Sequence, residues 1–116
     1  MEKRLMLIVN PAAGRGGYKV NFAEALHTID LGGYRTTLFF TSGRGEATEF
    51  AARHAGNFDT VACIGGDGTL SEVLAGLMQL DSPPPVGYMP MGTANDVATT
   101  LGLPKNDTVS AARRIL

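Results

Sequence analysis

At 116 residues the chain is the size of one domain, and 44% apolar against 18% charged residues excludes a disordered chain. Ten basic against eleven acidic residues, a net charge of −1, leave no global field to gather nucleic acid, which is not an expected partner. The longest aliphatic run, "LMLIV" at Leu5–Val9, is far below the ~20 residues that a membrane-spanning helix needs.

Met1-Glu2-Lys3-Arg4 leads straight into that run with no small-residue cleavage site, so no signal peptide is expected. Arg4–Asn10 is a continuous apolar stretch halted by Asn-Pro, which predicts a buried strand ending in a turn. After the loop "AAGRGG", a helix is predicted over Lys19–Leu31, with Phe22, Leu26 and Ile29 at helical spacing and Gly32-Gly33 as its stop. Tyr34–Phe40 is rich in β-branched and aromatic residues and predicts the second strand. Beyond "TSGRGEA" a second helix places Ala47, Phe50, Ala51 and Ala55 on one face, and Asp59–Ile64 is the third strand. Cys63, the single cysteine, belongs to that strand's core and fits a reducing, cytoplasmic setting. The next helix is predicted with one apolar stripe of Leu70, Val73, Leu74, Leu77 and Met78. Asp81–Pro85 is a rigid connector to a short strand, "VGYM". "PMGTAND" then turns into the short helix "NDVATTLG", and a last helix starts near Asn106 or Asp107.

Strands and helices alternating at this spacing predict one α/β domain over residues 1–116. Its layered, Rossmann-like fold has a mostly parallel sheet with helices on both faces. "SAARRIL" breaks off inside a helical pattern with no C-cap glycine or proline, so the chain is expected to be the first part of something longer.

In a parallel sheet the loops after the strands share one edge, where ligands bind. Here those loops are "NPAAGRGG", "TSGRGE", "GGDGTLSE" and "PMGTAND", and they hold nine of the fifteen glycines. Thr41, Ser42, Thr69, Thr93, Arg15 and Arg44 stand beside them. Glycines are ordinary turn residues, but four such loops with hydroxyls and guanidinium groups on one edge favour a polyphosphate site. Neither common nucleotide motif is present. No Gly-Lys-Ser/Thr occurs, and in "GRGGYK" Lys19 replaces the third glycine of the dinucleotide fingerprint.

"GGDGTLSEVLAGL" (Gly65–Leu77), preceded by "NPAAG" and followed by "PMGTANDVA", resembles the catalytic domain of diacylglycerol kinases and related bacterial lipid kinases. NAD kinases share "GGDGT" and sphingosine kinases much of the rest, while "GTAND" favours the diacylglycerol kinase branch. The resemblance implies the nucleotide-binding domain of the NAD kinase/diacylglycerol kinase-like fold, with ATP as co-substrate, Mg²⁺ as cofactor and a lipid hydroxyl as acceptor. It implies that Asn10 and Arg15 lie beside the phosphates and that Thr41 contacts the nucleotide. Gly65, Gly66, Asp67, Gly68 and Thr69 would form the phosphate-side loop, and Thr93 with Asn95 would close the site. It also implies a following, largely β domain with the lipid pocket and the general base, without which residues 1–116 are not expected to turn over. A cytoplasmic protein is implied, with peripheral contact at the inner membrane face and homo-oligomerisation left open. An NAD kinase-like enzyme and a non-catalytic nucleotide-binding module are the alternatives.

Within that reading, the amides of Gly66, Gly68 and Thr69 at a helix start cap phosphate oxygens, and Arg15 supplies a planar fork. Asp67, a carboxylate beside a triphosphate, is the catalytic and metal-binding candidate, because a divalent cation removes the repulsion. It can also serve as a helix cap. Glu72 lies opposite the apolar stripe and is either a solvated carboxylate aligned with the helix dipole or an outer contact of the site. Asn95 and Asp96 are either an N-cap pair or ligand contacts. His27 and His54 read as surface histidines.

Overall fold

The computed structural model describes residues 2–12 and 22–90, with Met89 and Pro90 described in backbone only. In chain order these are β1 (Lys3–Val9), α1 (Phe22–Leu31), β2 (Tyr34–Phe40), α2 (Glu46–His54), β3 (Thr60–Gly65), α3 (Asp67–Leu77) and β4 (Val86–Pro90). A single 3₁₀ turn, Ala55–Asn57, extends α2. The four strands form one sheet in the order β2-β1-β3-β4, and each neighbouring pair is parallel. From β1 the chain moves outward to β2, then crosses back over β1 to β3. That reversal puts a crevice at the C-terminal ends of β1 and β3, where parallel sheets bind ligands.

The lack of polar alternation in β1 has a direct cause: both of its faces are covered. Leu5, Leu7 and Val9 join Ala62 and Ile64 of β3 under Ala25 and Ile29 of α1. Met6 and Ile8, pointing the other way, join Val61, Cys63 and Tyr88 under α2 and α3. Leu5 to Val9 are all at most 1% exposed, and each full burial of this kind contributes about 1.5–3 kcal/mol. The helices thus lie on both faces, α1 on one side and α2 with α3 on the other.

The α2–α3 contact depends on a residue with no side chain. Around Gly76 the backbone of α2 comes so close that an added Cβ would overlap the Thr48 carbonyl and Ala51 Cβ. Ala47, Ala51 and Ala55 on the facing side of α2 are small and fully buried, which lets the two helix axes approach.

Several boundaries differ from expectation. β1 is Lys3–Val9 rather than Arg4–Asn10, because the Asn10 side chain bonds forward into the turn. The third strand is Thr60–Gly65, not Asp59–Ile64. Asp59 instead accepts the Arg4 amide through its carboxylate and donates its own amide to the Arg4 carbonyl. The apolar stripe of α3 is narrower than predicted. Leu70, Val73 and Leu77 are buried, but Leu74 is 40% and Met78 84% exposed, since α2 and the sheet contact only one side of the helix. Phe22–Leu31 is the described part of the helix predicted from Lys19, and the two helices predicted after "PMGTAND" lie outside the described residues. Cys63 is fully buried, as expected, while His54 is half-buried with its ring 5.2 Å from that of Phe39.

Candidate functional site

A cleft of about 450 Å³ opens at the C-terminal edge of the sheet. Three segments wall it: Asn10, Pro11 and Ala12 after β1, Thr41 to Arg44 after β2, and Gly68, Thr69 and Glu72 on α3. The size falls within the ordinary range for small-ligand pockets.

Its floor is a knot of short contacts. The Asn10 amide donates to the Ile64 carbonyl at 2.9 Å, continuing the β1–β3 ladder one step past the strand. Its side-chain oxygen accepts the Ala12 amide at 3.1 Å, forming an Asx turn, and its Nδ2 donates to Thr69 Oγ1 at 3.2 Å. Thr69 is 7% exposed and folds back over Gly65, where any Cβ would collide with the Thr69 side chain. Glycine at the end of β3 is therefore required for the first turn of α3 to sit on the strand. Thr41, 9% exposed, donates both its amide and its hydroxyl to the Val9 carbonyl, at 2.9 and 3.4 Å.

The start of α3 is the electropositive element of the cleft. Gly66 is its N-cap, in extended backbone with no side-chain cap, so the first-turn amides have no intrahelical acceptor. Gly68 and Thr69 bring that turn to the cleft wall. Arg44, an exposed lining residue, adds a cation; the ion pairs among the described residues, Arg35–Glu2 and Arg53–Glu49, do not involve it. A helix start and a guanidinium lining the same cleft suit an anionic ligand.

Asp67 is the first residue of α3 and does not cap it, so the capping role drops out. Half-buried, it lies on the β4 side of the turn rather than among the cleft-lining residues. There the Tyr88 hydroxyl sits 3.3 Å from the Gly65 carbonyl and 3.5 Å from Asp67 Oδ1, and donates its one proton between them. Burial, then the nearby Asp67 and Cys63, push the Tyr88 phenol up to about 12, so it remains a donor at neutral pH. Among the described residues no three His, Cys, Asp or Glu side chains gather as a metal-holding group. Asp67 Oδ2 has no hydrogen-bond partner among those residues. That arrangement fits magnesium, which takes one or two carboxylates and completes its shell with phosphate oxygens and water.

Two glutamates shape the β2–α2 loop. Glu46 accepts the Ser42 amide at 3.2 Å and the Ser42 hydroxyl at 2.6 Å. Glu72 Oε1 accepts the Gly45 amide at 3.1 Å, and Thr48 donates its hydroxyl to the Glu72 carbonyl at 2.8 Å. Glu72 thus ties α3 to the loop, through an exposed side-chain bond and a partly buried backbone one.

The fold brings Asn10, Thr41, Gly68 and Thr69 to one cleft, with Gly65 and Gly66 supporting its helical wall and Asp67 one residue away from it. Arg15, Thr93, Asn95 and Asp96 lie outside the described residues. Ser42, one of the hydroxyls expected on this edge, lines the cleft, and its partner Glu46 carries no expectation from the sequence. The spacing of Ser42 to Glu46 is the signal that could have found that pair, since a carboxylate there reaches back to the preceding turn.

A family model for the diacylglycerol kinase catalytic domain matches residues 4–116. The diacylglycerol kinase of Bacillus subtilis (strain 168) is 40% identical over 116 residues, covering 98% of this chain and 38% of that protein. The diacylglycerol kinase of Staphylococcus aureus (strain MRSA252) is 39% identical over 113 residues, covering 96% of this chain and 35% of its own. The crystal structure of a diacylglycerol kinase from Bacillus anthracis str. Sterne superposes with a TM-score of 0.85 at 32% identity, over 97% of this chain and 39% of that one. The chain therefore spans well under half the length of the relatives it matches. With the parallel sheet, the glycine-bounded helix start and the matched motifs in agreement, the chain belongs to the diacylglycerol kinase catalytic domain family.

Proposed function

We propose that residues 1–116 form the nucleotide half of a lipid kinase, which transfers the γ-phosphoryl group of ATP to the hydroxyl of a diacylglycerol-like lipid. The observation that carries this reading is the uncapped first turn of α3, set in a cleft between the loops after β1 and β2. Phosphoryl transfer asks a protein mainly for positioning and charge neutralisation, and this cleft is built from groups that do both. The amides of Gly66, Gly68 and Thr69 receive phosphate oxygens. The Thr69 hydroxyl accepts from Asn10, which leaves its own proton for a ligand oxygen. Arg15 joins from the loop after β1, Thr41 orients the nucleotide, and Thr93 with Asn95 complete the enclosure. Asp67 is the residue that would hold Mg²⁺, which when bound neutralises phosphate oxygens and orients the transferring group.

The lipid pocket and the general base are proposed to lie outside residues 1–116, which alone are therefore expected to bind ATP without transferring it. A lipid acceptor requires a visit to a membrane. Among the described residues no helix is long and apolar enough to cross one, and the contact proposed is peripheral, from the cytoplasmic side. The test is incubation of the full-length protein with labelled ATP, Mg²⁺ and either diacylglycerol in mixed micelles or NAD. Label should enter the lipid alone; label in NAD alone would sink the lipid-kinase reading.

A further inference from the structure

Two separate pieces of the chain line the cleft: the β2–α2 loop with Thr41 to Arg44, and the start of α3. The loop is held at its near end by Thr41 on the Val9 carbonyl and in its middle by Ser42 on Glu46. Neither contact sets its distance from α3. Among the described residues the only hydrogen bonds that cross from this segment to α3 are Gly45 amide to Glu72 Oε1 and Thr48 hydroxyl to Glu72 carbonyl. One residue accepts both, through its side chain and its backbone. The close approach at Gly76, one turn further along α3, is to the same stretch of α2, at Thr48, Ala51 and Ala52.

We propose that Glu72 is a positioning residue for nucleotide binding: with Thr48 it braces the β2–α2 loop against α3 and so fixes the width of the cleft. The proposal rests on the nucleotide reading above. A carboxylate on the wall of an anion-binding cleft is electrostatically unfavourable by itself, and its engagement with the Gly45 amide accounts for its presence. A backbone amide hydrogen-bonded to a carboxylate is among the stronger ties available to a loop. Without it, the wall carrying Thr41 and Arg44 must be ordered each time a ligand binds, which weakens affinity and leaves the chemical step intact.

The experiment uses the full-length protein with the variants Glu72→Ala, Glu72→Gln, Thr48→Val and the double variant Glu72→Ala/Thr48→Val. Losing the tie should raise the KM for ATP by about tenfold in Glu72→Ala, with kcat and the lipid KM unchanged. Glu72→Gln keeps an acceptor for the Gly45 amide and should restore most of the affinity. Thr48 does not line the cleft, yet Thr48→Val should raise the KM for ATP as well, and the double variant should fall short of the product of the two single effects. A purely structural role would lower the active fraction, and with it kcat, while leaving KM alone; that result overturns the proposal. So does a Thr48→Val protein with wild-type KM, which would place Glu72 in direct contact with the nucleotide. Amide exchange in the nucleotide-free protein tests the brace separately. The Gly45 amide should exchange at least tenfold faster in Glu72→Ala, and an unchanged rate overturns the brace even if the nucleotide reading holds. Absence of ATP binding to the wild type, with Gly45 deprotected as expected, would overturn the nucleotide reading and the assigned role while leaving the contact itself established.

Discussion

Tyr88 and Cys63 show how single residues tie the site to the stability of the sheet beneath it. Both sit in the core under α2 and α3, and Tyr88 carries its hydroxyl from there to the start of α3. Burial pushes the Cys63 thiol from its ordinary 9.0 up to about 12. Burial first, then Asp67 and Cys63, push the Tyr88 phenol from 10.0 up to about 12. The folded protein therefore holds both protons more tightly than the unfolded chain does. The stability linked to them is fully present below the unfolded values of 9.0 and 10.0, and it is lost as the pH rises through about 12. The urea midpoint should stay level from neutral pH to about pH 9 and fall beyond it, with a shallower fall in Tyr88→Phe. A midpoint level to about pH 11, or a Tyr88→Phe slope identical to wild type, would show that these protons are not linked to folding.

At the scale of elements, α2 and α3 pack side by side on one face of the sheet, and Gly76 makes that contact possible. Alanine in place of glycine inside a helix normally stabilises by about 1 kcal/mol. Here the added Cβ meets the Thr48 carbonyl and Ala51 Cβ, so Gly76→Ala should instead destabilise by about 1–3 kcal/mol. Gly56→Ala is the control, because nothing lies within 4 Å of its would-be Cβ. Equal denaturation midpoints for the two variants would contradict the packing account. This contact also marks where sequence pattern stops being informative. Tyr34–Phe40 was legible to the residue, because β-branched and aromatic residues between a Gly-Gly stop and a Thr-Ser turn leave little choice. The stripe of α3 is narrower than its period suggests, since Leu74 and Met78 match the period but face away from α2 and the sheet. Hydropathy counts a helix's apolar residues without knowing how far its neighbour reaches. Gly76 and Thr69 are absent from any apolar stripe, yet both are packed at interfaces that position the cleft.

Across the whole molecule, the strand order β2-β1-β3-β4 gathers segments far apart in sequence onto one edge. Asn10 meets Thr69 across 59 positions, and Gly45 meets Glu72 across 27. The alternation of strands and helices made that edge predictable, and the glycine-bounded loops marked which residues would share it. Hydrogen bonds between residues so far apart leave no such trace, so the ties of Glu72 to Gly45 and Thr48 emerge only in the fold. The ligand proposed above rests on the same assembly: an uncapped helix start and the Arg44 guanidinium lining one cleft, with the Asp67 carboxylate one residue away. Calorimetric titration of the full-length protein with ATP, with and without Mg²⁺ and in Asp67→Ala, tests that claim most directly. The account predicts saturable binding in Mg²⁺ that weakens by about tenfold or more when either the metal or the carboxylate is removed. Binding that is absent in Mg²⁺, or that is unchanged by both removals, would contradict it.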